Sequence, residues 1–355
     1  MDEINAVLDK ETAEFNGSHE ETNALDNIAK EYVDSPTPEI GVPKNISEAM
    51  RMPEAMEAAK REIDMIQKFG TWKLVPKSEV PAGSPIYTPI WRFTRKADGR
   101  MKARLCFPGH RQRKGIDYTS VSSPTVAMAS FRMFLTFCKL RKTIPIHIDI
   151  RNAYLHAKVS ENVYMRQPLG FVDEQHPDYV CKLIQSLYRM HQSGHNWHNL
   201  IDEDLMQHGV RQSEHNSCIY FKLKDRKEWL VICLYVDDLL IGGDDESVRE
   251  MTAYLKEKYN VSSEGEINRY LGISVRTGNG PWKLDQTREI EEFLIENGMD
   301  AANPTDRPGD PSLKFEEATT GPKLNQPKYR SVIGGLLWFA IATRPDILYA
   351  VNIVV

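Results

Sequence analysis

The chain has 355 residues, 41% apolar and 27% charged, which is enough for a large core and two or three structural units. Its formal charge of −5 hides a split, because residues 1–50 carry 3 Lys/Arg against 12 Asp/Glu while residues 91–115 carry nine Lys/Arg against the single Asp98. Five cysteines with no Cys-x-x-Cys, an acidic N-terminus and a longest apolar run of only eight residues (229–236) argue against disulfide-built, secreted and membrane-spanning classes.

In chain order, residues 1–50 are acidic, poor in aromatics and hold Pro36, Pro38 and Pro43, so they are expected to be mostly disordered. A helix follows, opened by Pro53 and stopped at Gly70, with Met56, Ala59, Ile63 and Ile66 at helical spacing. Residues 72–75 and 90–94 alternate as strands, and Ala97-Asp98-Gly99 makes a hairpin turn into a strand over 101–107. Residues 130–140 read as a helix, 144–150 as a strand ending at Asp149, and 162–166 and 179–183 as two further strands. A helix over 192–209 puts Trp197, Leu200, Ile201 and Leu205 on one face. Strands over 218–223 and 228–236 flank a charged turn at 224–227, and the second is apolar throughout, as a strand buried on both faces must be. Helices over 247–259 and 288–297 bracket a hairpin that pairs 270–275 with 282–285 across Gly278-Asn279-Gly280. Residues 303–327 hold five prolines and read as a linker, and 329–342 and 345–355 are apolar and helical.

The sharpest chemical signal is Leu234-Tyr235-Val236-Asp237-Asp238, two carboxylates directly after a fully buried strand. Such a pair is costly unless it is matched by partners or cations. Asp-Asp pairs also simply end strands and open turns, so the motif alone leaves both readings open. Ile146-His147-Ile148-Asp149 is a second apolar strand that ends in a carboxylate. Set side by side, the two strands are expected to place Asp149 opposite Asp237, with Asp238 more peripheral. Opposed carboxylates suit two Mg²⁺ ions, which take hard oxygen ligands and at ~4 Å separation clamp both oxygens of a phosphoryl transfer.

Other motifs stand in order around these. They are Thr71-Trp-Lys-Leu-Val75, Lys102-Ala-Arg-Leu105, Gly115-Ile-Asp-Tyr118, Ser123-Pro124, Asp149-Ile-Arg-Asn-Ala-Tyr-Leu155 and Tyr164-Met-Arg-Gln-Pro168. Gly170-Phe171, Val180-Cys-Lys-Leu183, Ser186-Leu-Tyr188, Tyr235-Val-Asp-Asp238, Tyr270-Leu-Gly-Ile273 and Thr343-Arg-Pro-Asp346 complete the series. In this order and spacing, from about Ala55 onward, the chain resembles the reverse transcriptase region of copia-type (Ty1-like) long-terminal-repeat retrotransposon Pol polyproteins.

The resemblance implies an α+β right-hand polymerase, with an antiparallel palm sheet backed by helices. Fingers are expected at about 55–145, palm at about 146–242 with a fingers insertion, and thumb at about 243–300. A Pro-rich linker over 301–327 then leads to 328–355, the truncated start of a connection or RNase H-side region. The implied activity is DNA synthesis on an RNA or DNA template-primer from deoxynucleoside triphosphates. Two Mg²⁺ ions, replaceable by Mn²⁺, would be held by the catalytic Asp149, Asp237 and Asp238. Lys102 and Arg104 match residues that hold the triphosphate, and alternate strand positions do put both on one face. Tyr154 matches the aromatic under the incoming sugar, where a ring excludes a 2′-OH, and Tyr188 joins the nucleotide-binding set. Tyr270-Leu-Gly-Ile273 resembles the hairpin that supports the primer end. Implied partners are an integrase upstream and an RNase H downstream in one polyprotein, with no membrane. The implied location is a cytoplasmic virus-like particle with access to the nucleus.

Two stretches depart from the family. Arg189-Met-His-Gln192 stands where the usual run is Gly-Leu-Lys-Gln, and the family glycine lets backbone pass close to the template–nucleotide pair. Arg104-Leu-Cys-Phe-Pro108 replaces Arg-Leu-Val-Ala-Lys, and Cys106 and Pro108 are expected to make that strand less regular. His191, His195 and His198 fall at i, i+4 and i+7, a metal-ligand spacing, although no Glu follows His191 as in the His-Glu-x-x-His motif. The competing functions are a catalytically decayed remnant that binds nucleic acid, and a two-metal nuclease, for which no further carboxylates match.

Overall fold

The structure is a computed structural model that describes residues 41–96, 98–223, 228–309 and 325–354. The expected disordered head up to residue 40, the charged turn 224–227 and the linker stretch 310–324 lie outside the described residues. The described part of that stretch, 41–50, is not all irregular. Ile46–Ala49 forms one helical turn (α1), capped by the Asn45 side chain, which accepts the Glu48 N–H at 3.0 Å, and Ile46 and Ala49 are buried. The described residues fall into two compact units, one of 41–126 with 146–264, the other of 127–145 with 265–309 and 325–354.

In the first unit, α2 (Pro53–Lys68) starts on Pro53 and buries Ala55, Ala58, Ala59, Ile63 and Ile66. It packs on the hairpin of β3 (Ile90–Arg95) and β4 (Met101–Cys106), whose register sets Trp91 opposite Leu105 and Phe93 opposite Ala103. Along β4, Met101, Ala103 and Leu105 are buried, while Lys102 and Arg104 take the other face. A four-stranded sheet in the order β1 (Trp72–Val75), β7 (Val180–Leu183), β6 (Tyr164–Arg166), β2 (Ile86–Tyr87) shares this core. Cys106 does not disturb the strand, since it stays in register with Ile90, and Pro108 falls only beyond the strand's end.

The larger sheet of the same unit has six strands in the order β12 (Val261–Glu266), β5 (Ile146–Ile150), β11 (Asp238–Gly243), β10 (Trp229–Tyr235), β9 (Ile219–Leu223), β8 (Arg211–Gln212). The pairs from β5 through β8 are antiparallel. Helices α5 (Ser193–Gln207) and α6 (Asp245–Lys258) back it, joining Trp197, Ile201, Leu205, Met251 and Leu255 to Ile148, Ile232, Leu234, Leu239 and Ile241 in one core. β10 is buried from Trp229 to Leu234, as its unbroken apolar run requires. A short helix α4 (Ala153–His156) follows β5.

The second unit contains α3 (Met128–Leu140), a sheet of β13 (Arg269–Tyr270), β14 (Ile273–Arg276) and β15 (Lys283–Asp285), and helices α7 (Thr287–Glu296), α8 (Gln326–Ala342) and α9 (Leu348–Val354). The expected single strand over 270–275 is broken. Leu271 (φ 52) and Gly272 (φ 73) form a two-residue turn that pairs Tyr270 with Ile273, the left-handed pair that tight hairpins favour. The Thr343-Arg-Pro-Asp346 motif is a knuckle. The Thr343 hydroxyl donates to Gln286 Oε1 at 2.8 Å, and Arg344 grips Asp346 at 2.8 Å. Arg132 donates to the last carbonyls of α8, Ile341 at 2.6 Å and Ala342 at 2.8 Å, which satisfies a helix end that lacks partners of its own.

Candidate active site

The acidic motif sits in the turn between β10 and β11. Tyr235 pairs with Asp238, so Val236 and Asp237 are the two turn residues. Val236 has φ 54, a left-handed conformation that is strained for a β-branched residue. Two bonds hold the turn in place. The Trp197 indole N–H donates to the Val236 carbonyl at 2.6 Å, and the Ile150 N–H donates to the Asp237 carbonyl at 2.8 Å.

This geometry corrects the expected pairing of Asp149 with Asp237. The strand beside β5 is β11, not β10, and the register partner of Asp149 is Asp238. The reason is the tightness of the turn: Asp238 already begins the returning strand, and that strand pairs with β5. Asp238 is held by His147 Nε2 at 3.0 Å, and His147 lies two residues before Asp149 on the same strand face. Asp237, at the tip, is pushed up to about 6 by burial first, then by the charges of Asp238 and Asp149, with Arg104 opposing the rise.

Two stretches outside the sheet complete the site. On β4 the Lys102 ammonium is pushed down by burial and by Arg104, and Glu62 and Asp237 oppose that shift. The Arg104 guanidinium lies 5.1 Å from the centroid of the Tyr188 ring. The Tyr188 hydroxyl, raised by burial, donates to Asn152 Oδ1 at 3.1 Å. The Tyr154 ring stands edge-on to that of Tyr188, with centroids 5.7 Å apart. Lys102, Arg104, Tyr154 and Tyr188 are therefore gathered with Asp237 in one compact unit.

The departing segment at 189–192 is held by a buried polar node. Asp117 accepts the Tyr87 hydroxyl at 2.6 Å and the Arg113 N–H at 2.7 Å. Gln192 donates to the Asp117 carbonyl at 2.9 Å and accepts from Gln112 at 2.9 Å, while the His191 N–H donates to Gln112 Oε1 at 2.8 Å. Arg189 adopts φ 68, the left-handed region where glycine is unstrained, and its side chain is exposed. Its carbonyl comes so close to Gly109 that a Cβ there would lie 2.0 Å away, so position 109 must be glycine.

The three histidines do not form a ligand set among the described residues. The His191 ring lies tilted against that of Tyr118, centroids 4.7 Å apart, and the residue precedes α5, while His195 Nδ1 meets the Ser122 carbonyl at 2.8 Å. Among the described residues no three His, Cys, Asp or Glu side chains are already closed into a metal-ligand set. All five cysteines are buried and none forms a disulfide. The acidic end of the sheet nevertheless fits hard cations. Its mutually repelling carboxylates raise Asp237 and present oxygen donors at one edge, a charge excess that a divalent ion would neutralise.

Sequence pattern alone passed over Glu62. It lies on the buried stripe of α2, accepts the Leu105 N–H at 3.2 Å, and is raised by burial against the lowering charges of Arg104 and Lys102. The available signal was a lone carboxylate within an otherwise apolar helical face.

Known proteins align across this site. The family described as reverse transcriptase (RNA-dependent DNA polymerase) matches residues 69–310. The retrovirus-related Pol polyprotein from transposon TNT 1-94 of Nicotiana tabacum is 33% identical over 330 residues, 88% of this chain and 24% of that protein. The corresponding polyprotein from transposon RE1 of Arabidopsis thaliana is 33% identical over 347 residues, covering 93% of this chain and 23% of its own length. The transposon Ty1-GR3 Gag-Pol polyprotein of Saccharomyces cerevisiae is 27% identical over 321 residues, 84% of this chain and 18% of that protein. The chain thus spans about a quarter or less of the length of these relatives. Among solved structures, the prototype foamy virus protease-reverse transcriptase aligns with a TM-score of 0.36 and 13% identity, over 64% of this chain and 27% of that one. The matched segment takes in the basic strand, Asp149 and the Asp237–Asp238 turn alike, and with these transposon relatives on either side the chain belongs to the reverse transcriptase (RNA-dependent DNA polymerase) family, in its copia-type retrotransposon Pol branch.

Proposed function

We propose that this chain catalyses RNA-directed DNA synthesis, adding deoxynucleotides to a primer on an RNA or DNA template. The carrying observation is the opposition of charge within one unit: carboxylates concentrated at the end of the six-stranded sheet, and Lys102 and Arg104 gathered near them on β4. In this reading Asp149, Asp237 and Asp238 hold two Mg²⁺ ions, with Mn²⁺ a substitute, and His147 tethers Asp238. When bound, such ions neutralise the charge that builds on the reacting phosphate and its attacking and leaving oxygens.

The chain's own residues do the positioning. Lys102 and Arg104 hold the triphosphate from one strand face. Tyr154, braced against Tyr188, excludes a 2′-OH, and Tyr188 itself presents Arg104 across its ring. The six-stranded sheet is assigned to the palm and the β3–β4 hairpin to the fingers. Integrase and RNase H regions of one polyprotein are the expected companions, in an intracellular particle.

A second reading, a decayed copy that binds nucleic acid without extending it, is favoured by one observation: Arg189 holds a left-handed backbone suited to glycine. Primer extension tests both. Mg²⁺-dependent extension that is lost in Asp237→Asn supports the polymerase. Template binding without extension in the unaltered chain supports the decayed copy.

A further inference from the structure

One carboxylate of the site stands apart from the acidic end of the sheet. Glu62 shares the stripe of α2 whose other members, Ala55, Ala58, Ala59, Ile63 and Ile66, are buried. An ionisable side chain on such a stripe is costly unless it has partners. Those of Glu62 lie along the open edge of β4. β3 covers the opposite edge. On the open one, the Leu105 N–H donates to Glu62 Oε1 at 3.2 Å and the Phe107 N–H donates to the Tyr188 carbonyl at 2.8 Å. Strand residues two apart aim their N–H groups the same way and lie ~6.6 Å apart, so Glu62 and Tyr188 are neighbours along this edge. Arg104, one residue before Leu105, sets its guanidinium over the Tyr188 ring. Burial raises the Glu62 carboxyl and the Arg104 and Lys102 charges lower it, as expected of groups that feel one another.

We propose that Glu62 is a positioning residue of the nucleotide site, its negative charge the counterweight that limits how tightly Lys102 and Arg104 hold a polyphosphate. The proposal rests on the polymerase reading above. Its physical logic is that two cations on one strand face grip the substrate triphosphate and the released pyrophosphate alike. Binding that does not distinguish the transition state lowers KM without raising kcat. A fixed carboxylate behind the cations weakens that uniform grip and keeps the side chains aligned between turnovers.

The test uses the full chain, with calorimetric titration by inorganic tripolyphosphate and steady-state primer extension read for one deoxynucleotide. Glu62→Gln removes the charge but keeps an acceptor for the Leu105 N–H. Glu62→Met removes the charge and fills the apolar stripe, which covers the case in which the first variant fails to fold. Both variants are expected to bind tripolyphosphate about fivefold more tightly, the effect of deleting one nearby unit charge at partial solvent screening, with a steeper loss of affinity as KCl rises. KM for the deoxynucleotide falls in parallel, kcat does not rise, and pyrophosphate inhibits more strongly. Affinities within twofold of the unaltered chain, weaker affinities, or no tripolyphosphate binding by any of the three proteins would overturn the proposal. Tighter binding by the variants with no primer extension by the unaltered chain keeps the proposal and overturns the polymerase reading. Asp237-dependent extension with unchanged variants does the reverse.

Discussion

The six-stranded sheet ends in Asp149, Asp237 and Asp238, whereas β4 in the same compact unit presents Lys102 and Arg104 with Glu62 behind them. Both are clusters of like charge set against buried apolar residues, yet they are handled differently. On β4 the cations have an internal counter-charge in Glu62 and a cation–π contact from Arg104 to Tyr188, with Lys102 half-buried and Arg104 exposed. At the sheet end Asp238 has a hydrogen-bond partner in His147, while burial and the charges of Asp238 and Asp149 raise Asp237 against the opposing charge of Arg104. The basic cluster carries its own counter-charge, whereas at the acidic end the charge of Arg104 only partly offsets the rise of Asp237. On the function proposed above, divalent ions supply the counter-charge that the acidic side lacks.

Breaking the acidic side gives the largest expected effect. Asp237→Asn is expected to lower Mg²⁺-dependent extension by about 10³-fold or more, since the ions carry much of the charge neutralisation in such a transfer. The same change is expected to stabilise the metal-free protein. Folded Asp237 is raised from 3.8 to about 6, so it binds its proton more tightly than the unfolded chain does. Its cost to stability is therefore absent below about pH 4, grows as pH rises, and is complete above about pH 6. Urea unfolding in chelator is expected to show Asp237→Asn more stable by about 1–2 kcal/mol at pH 7.5, after allowance for partial exposure, and equal to the unaltered chain near pH 4. A constant difference across that range would break the comparison.

On the basic side, Lys102→Ala is expected to raise KM for deoxynucleotides about tenfold with a smaller change in kcat, the loss of one charge-assisted contact. Tyr154→Ala is expected to raise ribonucleotide relative to deoxynucleotide incorporation by a similar factor, measured with matched templates. An unchanged ratio removes Tyr154 from the sugar site. Asp117→Ala strips the buried Tyr87 hydroxyl and the Arg113 N–H of their acceptor, and a loss of about 2–3 kcal/mol in urea unfolding is expected. The smallest effect belongs to Arg189→Gly. Relief of the left-handed backbone is expected to add about 0.5–1 kcal/mol, while the exposed side chain leaves KM for nucleotide unchanged.

The local architecture of this protein is legible in its residue pattern. Helix α2 begins on Pro53, β10 runs where the apolar residues do, and the hairpin turn near Gly99 joins the two strands that its composition calls for. These features depend on periodicity and turn chemistry within a few residues. The departures from pattern are of two kinds. The strand expected over 270–275 is broken by Leu271 and Gly272, because a two-residue turn leaves little mark in a short apolar run. The histidine series has a helical spacing, but His191 lies before the helix, on Tyr118. Spacing along a sequence places side chains on one face only when the helix includes them all.

Residue pattern was enough to show that carboxylates end two apolar strands, that a basic strand follows the first helix, and that the ordered motifs are those of a reverse transcriptase. Tertiary structure alone decided that β11 lies against β5, so that Asp149 faces Asp238, and that Glu62 on α2 meets the open edge of β4. The physical reason is common to both. Which strand neighbours which, and what a buried helix face touches, are settled by long-range packing between segments far apart in the chain, and no local pattern of residues encodes that choice.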